Sequence, residues 1–181
     1  MKYSIEQLQR EHAVGERGTF LFFWGHTPSE PGKIDKSCLS QWWMSPFIID
    51  RIPYTCTEQY MMAEKARLFQ DEEMLAEILK ASDPKEIKAF GRAVKNFDKT
   101  AWESQCYVIV KRGNFAKFSQ NAELGLFLKS TGTSILVEAS PYDRIWGIGM
   151  EQADSNVGNP LEWRGRNLLG FALMEVRDEL I

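Results

Sequence analysis

The sequence contains few of the residues from which metal sites and disulfide frameworks are built. Only three cysteines and two histidines occur in 181 residues. Cys38, Cys56 and Cys106 lie far apart and form no CxxC pair. His12 and His26 lack the HxxxH spacing of a zinc site. This pattern predicts buried free thiols in a reducing compartment, and it predicts no bound metal.

Long apolar runs and a strong excess of one charge are also absent. No run approaches the roughly 18 apolar residues of a membrane span, and the charged, amphipathic first 12 residues do not resemble a signal peptide. The 25 acidic and 22 basic residues leave a net charge of −3, which argues against a general nucleic-acid binder. We therefore expect a cytoplasmic globular protein with no membrane partner, and the chain length fits one domain.

Several common catalytic signatures are missing as well. The chain has no phosphate-binding GxxxxGK[ST] loop and no GxSxG nucleophile motif, and Gly147-Ile148-Gly149 lacks the third glycine of a dinucleotide fingerprint. Two histidines leave little room for a nucleophile–histidine pair. What remains is carboxylates and aromatic side chains, including six tryptophans. We predict no cofactor.

The segment 57–66 reads as a helix that carries charge on an inward face. At 3.6 residues per turn, Glu58 and Lys65 share one stripe with Met61. A buried carboxylate or ammonium is costly without a partner or a ligand. Two interpretations stay open for Glu58: a catalytic carboxylate, or a capping box in which Glu58 reaches back to Thr55.

Asp143 is the second carboxylate of interest, because it follows the clearest strand of the sequence, 134–139. It is either a site residue presented by a strand end or an Asp that caps the turn over 144–146. Trp102 and Trp146 are candidates for stacking on a flat ligand, with core packing as the alternative for each. Of the basic candidates, Arg92, Lys95 and Lys117 are expected on a solvated surface unless they bind phosphate. Lys65 differs, because it lies on the inward face of the helix over 57–66.

The predicted fold is α+β: one compact, mainly helical domain with a small sheet. Asp71 and the sequence Ser82-Asp83-Pro84 are helix-start signals, and Asp50-Arg51 is a hairpin tip. Gly91-Arg92 is expected to end one helix and Gly113-Asn114 to kink or divide another. Strands are predicted near 20–24, 40–43 and 134–139, and helices over 4–12, from 57 to about 69, 71–80, 84–90, 98–118, 121–131 and 164–180.

Several segments resemble the YbiA-like or NADAR family. The longest are EQYMMAEKA at 58–66 and SPYDRIWGIG at 140–149. The resemblance runs from about residue 18 to the C-terminus, so that 1–181 is expected to be one NADAR domain with an N-terminal helical extension, 1–17. Shorter matching segments are FFWGH at 22–26, SQWW at 40–43, Gly91-Arg92, KFSQN at 117–121 and NLLG at 167–170.

The resemblance implies a hydrolase of the N-glycosidase class that needs no metal. Its substrates are expected to be phosphoribosylamino-pyrimidine intermediates of riboflavin biosynthesis, with release of ribose 5-phosphate. The alternatives are removal of ADP-ribose from modified guanine or other ADP-ribosyl substrates, and a non-catalytic module that binds ADP-ribose or a nucleotide. Nucleic acid is a partner only if the guanine alternative applies.

The resemblance also assigns four catalytic residues, which are expected to line one pocket that Lys65 approaches. A carboxylate stabilises the ribosyl cation or activates water, and either Asp143 or Glu58 is the base. Tryptophan faces flank the base or the sugar, and basic side chains hold phosphate. The catalytic set is Glu58, Asp143, Trp102 and Trp146, and the substrate-binding set is Lys65, Arg92, Lys117 and Trp24.

Overall fold

The structure is a computed structural model that describes residues 1–180, so residue 181 of the predicted domain lies outside the described part. The predicted α+β class is confirmed: seven α-helices and four short strands occur in the described residues. The chain forms two compact units. The terminal unit comprises Met1–Ser40 and the chain from Ala122 onward, and the central unit comprises Gln41–Asn121.

The terminal unit is built on two parallel strands. Strand β1 (Phe20–Phe23) pairs in parallel with the strand Ile135–Glu138, numbered β4, and Phe23 lies opposite Glu138. The partly and fully buried side chains of both strands, together with the buried face of the last helix, make the core. The helices of this unit are α1 (Ile5–Ala13), α6 (Ala122–Ser130) and α7 (Leu168–Glu179), with 3-10 turns at Lys36–Leu39 and Pro160–Glu162.

The central unit is a hairpin and four helices. Strands β2 (Phe47–Ile49) and β3 (Ile52–Tyr54) are antiparallel. Asp50 and Arg51 join them with positive φ angles of 52° and 67°, the geometry of a type I′ turn, which confirms the predicted hairpin tip. The helices are α2 (Thr57–Leu68), α3 (Glu72–Lys80), α4 (Pro84–Ala93) and α5 (Lys99–Gln120).

The predicted helix starts are confirmed where an aspartate supplies the cap. The Asp71 carboxylate accepts from the backbone N–H of Met74. The Asp83 carboxylate accepts from the N–H groups of Lys85 and Glu86, and Pro84 is the first residue of α4. Each bond satisfies an N–H group that the first helical turn leaves without a partner.

The strand predicted at 40–43 is wrong. The segment before it is a 3-10 turn, Lys36–Leu39, which ends at Ser40. Asp35 fixes this turn, because its Oδ1 accepts from both the backbone N–H and the hydroxyl of Ser37. The aromatic run that suggested a strand therefore lies in irregular backbone, and the described sheets have two strands each.

Two glycines that were expected to interrupt helices lie inside them. α4 continues past Gly91 to Ala93, and α5 runs through Gly113. A Cβ at Gly91 would overlap the side chain of Met62, and one at Gly113 would overlap the ring of Tyr60. These glycines serve the close approach of α2 rather than a break in the helix.

The last helix begins four residues later than predicted, at Leu168. Before it, the chain bonds to the loop that follows β4: the Arg164 N–H donates to the Ile148 carbonyl, and the Arg166 N–H donates to the Arg144 carbonyl. Asn167 has a left-handed backbone, with φ 54°. Long-range pairing therefore decides this boundary.

Two features are absent from residues 1–180. No helix there combines the length and the apolar character that crossing a membrane requires. No group of three or more His, Cys, Asp or Glu side chains is placed to hold a metal ion.

Candidate active site

Asp143 lies in the turn after β4, and one of its oxygens is committed to that turn. Oδ1 accepts from the backbone N–H groups of Ile145 and Trp146, both at 2.8 Å. The Asp143 N–H donates to Ser140 Oγ at 3.2 Å. The turn-capping interpretation is therefore confirmed for Oδ1. Oδ2 has no hydrogen-bond partner within residues 1–180, so it can still act on a ligand.

An exposed aromatic pair lies at the same edge of the terminal unit. Because β1 and β4 are parallel, their carboxyl ends share one edge, where Trp24 follows β1 and Tyr142 follows β4. The two ring centres are 6.1 Å apart. Trp24 is 54% exposed and Tyr142 is 85% exposed, which is a large apolar surface to leave in water. Tyr142 was not among the predicted site residues. Its position next to Asp143, in the turn after a strand, could have indicated it.

Trp146 is partly buried and ties this turn to the last helix. Its backbone N–H donates to Asp143 Oδ1, and its carbonyl accepts from the Leu169 N–H at 3.1 Å. The positions of Asp143 and Trp146 are thus coupled through backbone bonds. Movement of one would displace the other.

Glu58 occupies the first turn of α2 in the central unit, and its side chain is buried, with 8% exposure. Gln41 holds it twice: the Glu58 N–H donates to the Gln41 carbonyl at 3.0 Å, and Gln41 Nε2 donates to Glu58 Oε2 at 3.4 Å. The Thr57 hydroxyl also donates to the Gln41 carbonyl. Gln41 Oε1 is buried without a hydrogen-bond partner among the described residues.

The capping-box interpretation of Glu58 is wrong, because Gln59 makes the reach-back contact. The residue before α2 is Cys56, whose side chain makes no capping bond. The Thr55 N–H and hydroxyl both donate to Gln59 Oε1, at 2.8 and 3.0 Å. Gln59 Nε2 donates to the carbonyls of Ile78 and Ala81. Gln59 is therefore the residue that makes the reach-back contact of this turn.

Gln59→Leu is expected to destabilise the protein by on the order of 3 kcal/mol, because it leaves buried backbone groups without partners. Chemical denaturation measures this change. Gln59→Glu is a useful control. It keeps an oxygen that accepts from Thr55 and loses the N–H groups that donate to the carbonyls of Ile78 and Ala81, so it should also destabilise the protein. Unchanged stability in Gln59→Leu would contradict the assignment.

Lys65 is half-buried and contacts the end of α4. Its Nζ donates to the Gly91 carbonyl at 2.7 Å and lies 4.4 Å from the centre of the Phe97 ring. Burial lowers the pKa of Lys65. The inward position predicted for this residue is thus observed, and its first role is to bind the carboxyl-terminal turn of a neighbouring helix.

The other predicted residues of the central unit differ in burial. Arg92 is exposed on α4. Lys117 is fully buried on α5, with Nζ 4.9 Å from the ring centre of Phe118, so the expectation of a solvated surface position is wrong for it. Trp102 is partly buried against the core that includes Phe69.

The structure therefore presents the predicted residues as two groups. Trp24, Asp143 and Trp146 belong to the terminal unit, at and after the carboxyl ends of its parallel strands. The pocket expected to unite Glu58, Trp102, Asp143 and Trp146, with Lys65 beside it, stays a prediction. The central unit holds the rest: Glu58, Lys65, Arg92, Trp102 and Lys117.

The NADAR domain family model matches residues 22–181. The chain belongs to the NADAR family. An N-glycosidase of Acanthamoeba polyphaga mimivirus is 40% identical over 171 residues, which cover 91% of this chain and 98% of the relative. N-glycosidase YbiA of Escherichia coli is 32% identical over 135 residues, 75% of this chain and 76% of that protein.

A solved structure of a NADAR relative has the same fold. The NMR structure of Escherichia coli YbiA matches with a TM-score of 0.73 and 28% identity, over 91% of this chain and 86% of the other. A plant relative, the maize chloroplastic riboflavin biosynthesis protein PYRR, is 36% identical over 116 residues, 62% of this chain and 17% of that protein. The predicted YbiA-like fold is confirmed.

NADAR membership confirms the predicted enzyme class, a hydrolase that cleaves N-glycosidic bonds. All eight predicted site residues lie inside the matched range 22–181, whereas α1 precedes it. The family assignment therefore bears on the catalytic chemistry and leaves the N-terminal helix unassigned.

Proposed function

We propose that this protein hydrolyses the bond between ribose 5-phosphate and the amino nitrogen of a phosphoribosylamino-pyrimidine, an intermediate of riboflavin biosynthesis. The maize relative is named as a riboflavin biosynthesis protein, which supports this substrate class. One observation carries the proposal. At the carboxyl ends of β1 and β4, the free oxygen of Asp143 lies in the same turn as the exposed ring of Tyr142.

The reaction requires negative charge beside a developing ribosyl cation. N-glycoside hydrolysis passes through an oxocarbenium-like state, which a carboxylate stabilises directly or by activating water. Asp143 suits this role because two backbone N–H groups fix Oδ1 and leave Oδ2 to face the sugar. Pre-orientation of this kind avoids reorganisation during the reaction.

Glu58 is proposed as the second carboxylate, with Gln41 as its positioning residue. The Gln41 backbone is fixed by bonds from Thr57 and Glu58, and its amide holds one oxygen of the Glu58 carboxylate. A carboxylate whose position is fixed in this way can exchange a proton with water or with the leaving nitrogen when either is bound beside it. The proposal therefore assigns Asp143 to stabilising the cation and Glu58 to proton transfer.

The remaining roles are recognition. The exposed rings of Trp24 and Tyr142 are proposed to hold the pyrimidine, because every base offers a flat face for stacking. Trp102 and Trp146 are proposed to flank the sugar. The basic side chains of Lys65, Arg92 and Lys117 are proposed to bind the 5-phosphate, and Arg92 is the most accessible of them. Lys65 and Lys117 also contact other groups of the central unit: Lys65 donates to the Gly91 carbonyl, and Lys117 lies beside the Phe118 ring.

The substrate assignment is tested by incubating the purified protein with a phosphoribosylamino-pyrimidine and quantifying ribose 5-phosphate. Release by the parent protein is expected, together with loss of release in Asp143→Asn. The same assay with ADP-ribosylated guanine tests the alternative substrate. Release of ADP-ribose without release of ribose 5-phosphate would refute the proposed substrate and retain the N-glycosidase class.

Tyr142→Ala is expected to raise KM about tenfold, because base–aromatic stacking contributes roughly 1–3 kcal/mol per base. The melting temperature should stay unchanged, since the ring is exposed. Tyr142→Phe is the matched control, because the hydroxyl makes no hydrogen bond within residues 1–180 and the ring is retained. A KM equally raised in both variants, or raised in neither, would count against stacking.

Treatment with a chelator is expected to leave turnover unchanged, because the proposed chemistry uses carboxylates to stabilise charge and move protons. The measurement is the rate of ribose 5-phosphate release before and after dialysis against EDTA. An activity that is lost on dialysis and restored by Mg²⁺ or Zn²⁺ would overturn the metal-independent mechanism.

A further inference from the structure

A cavity of about 290 Å³ lies within the terminal unit, and none of the residues assigned to catalysis above lines it. Its floor is apolar and consists of Leu8, Phe171 and Met174, all buried. Arg177 and Asp178 form its polar end. Leu8 belongs to α1, which precedes the part of the chain that matches the NADAR family.

Polar contacts hold the N-terminal wall of this cavity in place. The backbone N–H of Lys2 donates to Glu175 Oε1 at 2.7 Å. Asp178 Oδ2 accepts from Lys2 Nζ at 2.6 Å and from the Tyr3 hydroxyl at 2.7 Å. Both acceptors lie on α7, so the N-terminal segment is fixed to the last helix. The cavity is thus preformed rather than created by a ligand.

Arg177 has hydrogen-bonding capacity that the protein does not use. Its Nη1 donates to Thr131 Oγ1 and to the Ser134 carbonyl, both at 2.8 Å. Its Nε and Nη2 groups have no partner within residues 1–180. Burial lowers the pKa of Arg177. A half-buried guanidinium with unused donors gains free energy from a ligand that offers acceptors.

The charges around the cavity select the kind of ligand. Asp178 adjoins Arg177 and is paired with Lys2, and Glu11 also lines the cavity, so the charges around it nearly balance and favour a neutral ligand. Asp178 Oδ1 and Glu11 Oε2 have no partner in the described residues and can accept N–H groups. The volume lies at the lower end of the roughly 300–1,000 Å³ typical of ligand pockets, which favours one small ring system.

We propose that this cavity binds a small, neutral, planar heterocycle with adjacent carbonyl and N–H groups, such as a pyrimidine lactam. The carbonyl accepts from the Arg177 guanidinium, the N–H donates to a carboxylate, and the ring lies on the apolar floor. This site is separate from the glycosidase chemistry and does not depend on the proposed substrate.

The test uses the full chain and NMR titration with 5-fluorouracil, and with benzoate and benzene as comparison probes. Saturable shifts are expected at Leu8 and Met174 with 5-fluorouracil. Arg177→Met should weaken this binding at least about tenfold, since it removes hydrogen bonds from a charged donor. Arg10→Met is the matched control. Arg10 is exposed on α1, the helix that carries Leu8, and it does not line the cavity. It should bind like the parent.

Three results would overturn the proposal. The first is the absence of saturable shifts at Leu8 and Met174 up to about 10 mM probe. The second is benzoate or benzene binding as tightly as 5-fluorouracil. The third is equal binding by Arg177→Met and the parent. The first two need no variant, so they hold if Arg177→Met does not fold. Asp143→Asn should keep the binding, which separates this site from the catalytic one.

Discussion

Asp143→Asn is expected to lower kcat/KM at least about 10²-fold, the usual cost of removing a group that stabilises transition-state charge. The variant retains the size of the side chain. The Asn carbonyl oxygen can still accept from the N–H groups of Ile145 and Trp146, so the turn should persist. What is lost is the negative charge at the free oxygen. The melting temperature should therefore match that of the parent.

Asp154→Asn is the matched control for this variant. Asp154 is also in the terminal unit, and its Oδ1 accepts from the Asn156 N–H at 2.9 Å in a turn of the same kind. It has no assigned part in catalysis. Turnover by Asp154→Asn should equal that of the parent. Full activity in Asp143→Asn would reduce Asp143 to a turn residue and remove it from the mechanism.

Glu58→Gln is expected to lower kcat by a similar factor, about 10²-fold, because it removes the ionisable group at the start of α2. Stability should change little, since Gln59 rather than Glu58 makes the reach-back contacts to Thr55. The adjacent residues 58 and 59 thus separate the two effects: one substitution affects the rate and the other affects unfolding.

Glu64→Gln is the control for Glu58→Gln, because it removes a carboxylate from the same helix. Glu64 forms an ion pair with Arg67 and is partly buried. Its rate should equal that of the parent. A Glu58→Gln protein that unfolds at lower denaturant yet turns over normally would return Glu58 to a structural role.

The features that could be predicted from the sequence are those fixed by local chemistry. Asp71, Asp83 and Pro84 start helices wherever they precede an amphipathic run, so α3 and α4 were located correctly. The strands at 20–23 and 135–138 were also found as short apolar runs between turn residues, although the same reasoning failed at 40–43. Glu58 was indicated by its place on an inward helical face and Asp143 by its place after a strand, and the family resemblance then assigned both to the predicted site.

The features that could not be predicted depend on partners distant in the chain. Gly91 resembles a helix breaker until Met62 is known to pack against it. The 3-10 turn before Ser40 is an exception, because its capping residue, Asp35, lies only two residues before Ser37. Gln41 has no distinctive local signal, because its role comes from Glu58, 17 residues later. Such contacts are properties of the folded chain.

The substrate claim is tested most directly by competition in one reaction. Equimolar phosphoribosylamino-pyrimidine and ADP-ribosylated guanine are mixed with the parent protein, and ribose 5-phosphate and ADP-ribose are quantified at early times. The ratio of the two products reports the ratio of the kcat/KM values. The account predicts that ribose 5-phosphate predominates and that both products disappear in Asp143→Asn. Predominant ADP-ribose, or ribose 5-phosphate release undiminished in Asp143→Asn, would contradict it.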